Sequence, residues 1–254
     1  MAIEIDLSGR VALVTGGARG VGRGITERLV AAGALVAVCG RTEPTPGSLP
    51  EGSRFFAADV TDPDSVTALV EAVTAAHGRL DVAVNNAGGA PGTDAATASP
   101  RFSQKIIALN LTSALLVAQA ANRVMQEQPD GGSIVSITSL SGHRPSPGTA
   151  AYGAAKAGLI SLTQSLAMEW APKVRLNTVT AGMVRTELFD EYYGGPEGAA
   201  TVEASVPLGR VASPDDIGNA VAFLASDLAA NVSGADLVVH GGGERLLLHA
   251  HQEG

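Results

Sequence analysis

Ser139, Tyr152 and Lys156 lie in one stretch, residues 139–156, and are of types that can move a proton together. On a helix, residues four apart stand one above the other on the same face, so Tyr152 and Lys156 project into the same space. Their neighbours, Ala150-Ala151-Tyr152-Gly153-Ala154-Ala155-Lys156-Ala157-Gly158-Leu159-Ile160, are small and apolar. An ammonium group in such surroundings favours the ionised form of a nearby phenol. An ordinary tyrosine titrates near ~10, and each unit of lowering takes about 1.4 kcal/mol. A phenol brought toward neutrality can give a proton to a carbonyl oxygen or take one from an alcohol. A Tyr-x-x-x-Lys pair alone is a common accident of helices, so its meaning depends on the elements around it.

The first of these elements is an apolar run, Val11-Ala12-Leu13-Val14, of the kind expected for a strand buried on both faces. It leads into Thr15-Gly16-Gly17-Ala18-Arg19-Gly20-Val21-Gly22, then a helical pattern from Ile25 to Ala32 and a second apolar run from Ala34 to Cys39. A glycine-rich turn between a strand and a helix lets the backbone approach a pyrophosphate at a helix N-terminus, where N–H groups and the dipole favour an anion. Gly16, Arg19, Gly20, Val21 and Gly22 are the expected contacts, with spacing G-x-x-x-G-x-G. The end of the second strand distinguishes the dinucleotides, because an acid there binds a ribose 2′-hydroxyl and a base accommodates a 2′-phosphate. This chain has Gly40-Arg41-Thr42. Arg41 and Arg19, with no carboxylate at the strand end, favour NADP over NAD, although Glu43 stands close by.

Further along, Arg54–Ala57 reads as a third strand, and Thr61-Asp62-Pro63-Asp64 starts a helix that runs to about His77, with Gly78 as its stop. Asp81–Val84 reads as a fourth strand, ending in Asn85-Asn86-Ala87-Gly88. Phe102–Gln128 reads as one long helix with Asn110 on its apolar side, a residue that holds either a core partner or backbone and water near a site. Gly132–Thr138 delivers Ser139 to the carboxyl edge of the sheet. The Tyr152–Lys156 helix continues to about Trp170, and Val174–Thr180 is a sixth strand. Leu188–Pro207 shows no clear pattern and is expected to be an irregular lid. Pro214-Asp215-Asp216-Ile217 begins a last helix, and Asp236–Val239 is a seventh strand. His143 and Arg144 are candidates for the pocket wall. Phe189, Tyr192 and Tyr193 hint at an apolar substrate.

The chain has 254 residues, 45% hydrophobic and 17% charged, with a formal charge of -8. Its basic residues are scattered, which argues against nucleic acid as a partner. Neither a membrane-spanning run nor a leader is evident, so a cytoplasmic protein is expected. The single cysteine, Cys39, reads as a buried small hydrophobe. No metal site is expected, and His249 and His251 in the tail read as exposed.

Taken in order, these motifs resemble the short-chain dehydrogenase/reductase family in its single-domain form, over roughly Arg10 to Gly242. The resemblance rests on the glycine turn, Asp59-Val60, Asn85-Asn86-Ala87-Gly88, Asn110, Ser139, Tyr152-x-x-x-Lys156 and Gly182-x-Val184-x-Thr186. It implies an α/β fold: a doubly wound (Rossmann) parallel sheet of about seven strands with helices on both faces, one domain over residues 1–254 with a substrate lid near 187–208 and a tail from 244 to 254. It implies hydride transfer between NADP(H) and a small carbonyl or secondary alcohol. Tyr152 is then the general acid/base, and Lys156 lowers its pKa and holds the nicotinamide ribose. Ser139 binds the substrate oxygen, and Asn110 supports a proton relay to Lys156. Asp59 and Val60 are implied at the adenine, Asn86 and Gly88 at the adenosine-side ribose, and Val184 and Thr186 at the carboxamide. A homo-oligomer, tetramer or dimer, pairing through the helices of Asn110 and Tyr152 is implied as well. The chain departs from the family at Ala181, where proline is usual, and at His240-Gly241-Gly242, where Asp-Gly-Gly is usual. An NAD-dependent alcohol dehydrogenase of the same family and a non-catalytic dinucleotide-binding regulator are the alternatives.

Overall fold

The computed structural model describes residues 4–244. Seven strands, β1 (Val11–Thr15), β2 (Leu35–Gly40), β3 (Ser53–Ala57), β4 (Val82–Asn85), β5 (Gly132–Ser139), β6 (Val174–Ala181) and β7 (Asp236–Val239), form one parallel sheet. Their order is β3-β2-β1-β4-β5-β6-β7. The central strands are buried on both sides, which is why they read as unbroken apolar runs. Helices α1 (Gly20–Ala31) and α8 (Pro214–Ala225) cover one face, with Ile25, Leu29, Ile217 and Val221 against Val14, Val38 and Val84. Helices α2 (Pro63–His77), α4 (Ser113–Glu127) and α5 (Ala150–Glu169) cover the other, with Leu69, Val117 and Leu166 among the side chains packed in one core with Leu13, Ala83 and Leu176. The strand order reverses between β1 and β4, so a crevice opens beyond their carboxyl ends.

Local chemistry sets several boundaries as expected. Asp62 caps α2 by accepting from the Asp64 N–H, Pro63 occupies its first turn, and Gly78 ends it at φ 79°. Ser213 and Asp216 form a reciprocal capping box at the start of α8. Cys39 is buried, and burial pushes its thiol up to about 12.

Three expectations are corrected. The single helix over Phe102–Gln128 is instead α3 (Pro100–Ile107), a π turn over Ala108–Thr112, and α4. Asn110 sits in that π turn, and its amide donates to the Ile106 carbonyl one turn earlier. Residues Leu188–Pro207 are not irregular: they contain α6 (Phe189–Tyr192) and α7 (Pro196–Ser205). Both escape a periodicity reading because α6 is one turn long and α7 buries only Ala199. Third, β6 runs to Ala181, which pairs with Ser139 and Val239. A proline at that position could not donate to the ladder. The tail histidines His249 and His251 lie outside the described residues.

Candidate active site

The glycine turn is anchored from the neighbouring strand. Thr15 Oγ1 donates to the Val84 carbonyl (3.2 Å) and accepts from the Asn86 and Ala87 N–H groups (both 2.9 Å). Asn86 Nδ2 donates to the Thr15 and Gly16 carbonyls at 2.9 and 3.3 Å. Asn86 therefore holds the turn itself in place. Thr15 is quoted in the motif but given no role of its own there, and a hydroxyl closing an apolar strand ahead of the glycine turn was the signal. Gly16 and Gly20 adopt φ +65° and +52°, the left-handed region that favours glycine. At Gly22 a Cβ would lie 2.2 Å from the Gly16 carbonyl oxygen, so α1 can pack onto its own turn only without a side chain there.

Around this turn, Arg19 and Arg41 are exposed, and Val21 is partly buried. The Asp59 carboxyl is held below its usual range by Thr61, which donates through its hydroxyl and its N–H, with Arg41 adding a smaller attraction. Val60 is buried in the core beside Val66. Val184 bridges to Ala212, and the Thr186 methyl sits 3.5 Å from where a Gly20 Cβ would stand. Glu187, unremarked in the sequence, accepts from the Gly20 N–H at 3.2 Å. The cradle is thus the glycine backbone between β1 and the first turn of α1, with Thr186 against Gly20. A dinucleotide's anionic pyrophosphate fits the start of α1 by taking the place that the Glu187 carboxylate holds at the Gly20 N–H.

The second half of the site converges on Lys156. It is 4% exposed, and its Nζ donates to the Ile137 carbonyl at 2.8 Å. Burial depresses its pKa from 10.5 to about 8. Tyr152, one turn earlier, has its ring centroid 5.6 Å from that Nζ. The expected lowering of the phenol is not what the protein alone produces. Burial pushes Tyr152 up, and the nearby Ser139 hydroxyl pulls it partly back. The ammonium donates to the Ile137 carbonyl.

Asn110 and Gly88 complete this half. Asn110 is buried; its Oδ1 accepts from the Gly89 N–H (2.8 Å), and its Nδ2 donates to the Gly89 and Ile106 carbonyls (3.0 and 2.9 Å). A Cβ on Gly88 would meet Asn110 Oδ1 at 2.6 Å and Lys156 Nζ at 3.3 Å. Gly88, Asn110 and Lys156 are therefore packed together.

Other expectations fare differently. His143 and Arg144 do line a cavity, of about 660 Å³, with Ser141, Pro145 and Ala150 among others, and each is also paired there: His143 bonds Asp236, and Arg144 pairs with Glu244. Phe189 is buried among Ala199, Val206 and Val211, which leaves Tyr192 and Tyr193 as the exposed aromatics of that segment. A cavity of about 100 Å³ lies beside Tyr152, lined by Pro91, Phe102, Ile106 and Thr149 among others. Among the described residues there is no cluster suited to a metal ion and no helix long and apolar enough to cross a membrane.

The fold and this site define a nucleotide-binding α/β oxidoreductase. A family model described as Enoyl-(Acyl carrier protein) reductase matches residues 16–244. The chain is 38% identical over 252 residues to D-threitol dehydrogenase of Mycolicibacterium smegmatis, covering 95% of this chain and 96% of that protein. It is 36% identical over 243 residues to 3-oxoacyl-[acyl-carrier-protein] reductase of Escherichia coli, covering 94% and 98%. The ligand-free structure of Thermoplasma acidophilum aldohexose dehydrogenase superposes with a TM-score of 0.87 at 30% identity, covering 93% of this chain and 94% of that one. The chain belongs to the short-chain dehydrogenase/reductase family. It is an oxidoreductase acting on alcohol or carbonyl groups, of a family that uses NAD(P).

Proposed function

We propose that this protein transfers hydride between NADP(H) and a small carbonyl or secondary alcohol, with Tyr152 as general acid/base. The observation that supports this best is the convergence of Ser139, Tyr152, Lys156 and Asn110 beyond the carboxyl ends of β4 and β5. When bound, the dinucleotide supplies or accepts the hydride. Ser139 holds the substrate oxygen, and Tyr152 gives it a proton in reduction or takes one in oxidation. Lys156, held by Ile137, keeps a positive charge near the phenolate and reaches toward the nicotinamide ribose. Asn110 fixes the backbone at Gly89 and with it the floor on which Lys156 rests. Gly16, Gly20, Val21 and Gly22 receive the pyrophosphate. Arg19 and Arg41 receive a 2′-phosphate. Asp59 and Val60 flank the adenine, Asn86 and Gly88 the adenosine-side ribose, and Val184 and Thr186 the carboxamide.

The reading carries three further parts: one domain, a lid over residues 187–208, and a homo-oligomer. Along α5, Ala154, Ala157, Ser161 and Met168 are exposed, a surface on which a second copy could pair; light scattering tests the assembly.

The deciding experiment is Tyr152→Phe. Turnover should fall by roughly 10²–10⁴-fold while dinucleotide affinity stays within about twofold. Unchanged turnover removes Tyr152 from the reaction. Calorimetric titration with NADPH and NADH decides the cofactor, and a preference for NADH would transfer the reading to an NAD-dependent alcohol dehydrogenase. Because two of the relatives are dehydrogenases of threitol and of aldohexoses, polyols and aldoses head the panel of alcohols to assay.

A further inference from the structure

The turn after Ser139 is wedged between the sheet and α5. Residues Leu140–Gly142 form a short 3₁₀ turn in which the Ser141 N–H donates to Ser139 Oγ at 3.2 Å. A Cβ on Gly142 would lie 2.9 Å from the Ala157 nitrogen and from the Lys156 carbonyl carbon. One on Gly153 would lie 2.8 Å from the Ser141 carbonyl oxygen. The turn therefore touches α5 beside Tyr152 and at Lys156 with no slack.

His143 closes the far end. Its N–H donates to the Leu140 carbonyl at 2.9 Å. Its Nε2 stands 2.7 Å from Asp236 Oδ2 and 3.2 Å from Thr180 Oγ1. An ionised carboxylate only accepts, so Nε2 carries the hydrogen. Asp236 also accepts from the Thr178 and Thr180 hydroxyls, and Thr180 Oγ1 is 2.5 Å from Thr138 Oγ1, next to Ser139. The carboxylate is thus fixed across β5, β6 and β7, and His143 ties the turn to it.

We propose that His143 and Asp236 are a positioning pair for the reaction: they lock the 140–142 turn so that the Ser139 hydroxyl and the Tyr152 phenol keep their spacing. This rests on the reading of Ser139 and Tyr152 given above. Neither member of the pair touches the reacting atoms, and both act through the turn. A displacement of about 1 Å in such a constellation costs up to roughly 10²-fold in rate.

The test uses the full chain with His143→Ala, His143→Gln and Tyr152→Phe. In His143→Ala, kcat should fall roughly 10- to 100-fold, with dinucleotide affinity and thermal midpoint near wild type. Hydrogen exchange of the Ser141 amide, which needs no substrate, should accelerate. His143→Gln, which keeps a side-chain N–H for Asp236, should recover most of both. Wild-type kcat or unchanged Ser141 exchange in His143→Ala overturns the proposal, as does a loss that glutamine fails to restore. If His143→Ala does not fold, Asp236→Asn carries the same two readouts. A Tyr152→Phe variant with full turnover would sink the catalytic reading and this pair with it. An inactive Tyr152→Phe beside a fully active His143→Ala would sink the pair alone.

Discussion

Tyr152 and Lys156 stand on a wall whose key members are enclosed, whereas the segment after β6, residues 187–208, leaves Leu188, Tyr192 and Leu208 exposed. The wall is set by close packing: Gly142 against α5, Gly88 against Asn110 and Lys156, and Lys156 against Ile137. The segment is set by a small core around Phe189 and by ion pairs from Arg185 to Asp190 and Glu203. Packed backbone resists displacement because the interior has no free volume. Exposed ion pairs add little and yield readily. On the proposed reading, the chemistry would sit where the chain packs most tightly, and the lid that adapts to a substrate would sit where it packs least.

That contrast can be broken from the wall side first. Gly142→Val places a Cβ against two backbone atoms, so kcat should fall about 100-fold and stability by roughly 1–3 kcal/mol. A variant that folds and turns over normally would show the wall to be pliant.

Lys156→Met sharpens the same point through pH. Below about 8 the ammonium is charged in folded and unfolded chains alike, and burial penalises the folded form in full. Between about 8 and 10.5 the folded chain sheds its proton first, so the penalty fades as pH rises. Lys156→Met should thus be more stable than wild type at pH 7, by about 3 kcal/mol at most, with the gap closing toward pH 10.5. Chemical denaturation across that range checks it, and a gap that grows with pH reverses the assignment.

On the segment side, Phe189→Ala empties the small core. Hydrogen exchange across residues 187–208 should rise and substrate KM should increase several-fold, with kcat held within about twofold. A kcat loss as large as that of Gly142→Val would erase the distinction between the two regions. The smallest effect belongs to Arg185→Ala, which removes two exposed ion pairs and a stacking contact on Phe189. Its thermal midpoint should match wild type in calorimetry.

Much of this was readable from residues. Apolar runs marked the strands because a sheet covered on both faces must be apolar throughout. Asp62-Pro63 and Gly78 marked α2 because caps are local chemistry. Tyr152 and Lys156 were paired by helix spacing alone. Helices α6 and α7 were not readable, since α6 is too short to repeat and α7 has one buried side chain. Asn110, within the π turn, bonds Gly89 of another loop, a partner no local pattern names.

What the sequence alone determined, then, are the features carried by neighbours along the chain: strand and helix order, the glycine turn, and the Tyr152–Lys156 register. The tertiary structure decided the rest. It turned Lys156 toward Ile137 and let burial, rather than the ammonium, dominate the Tyr152 phenol. It also brought Asp236 to His143 across 93 residues. Burial and long-range hydrogen bonds depend on which surfaces meet, and no local pattern encodes that meeting.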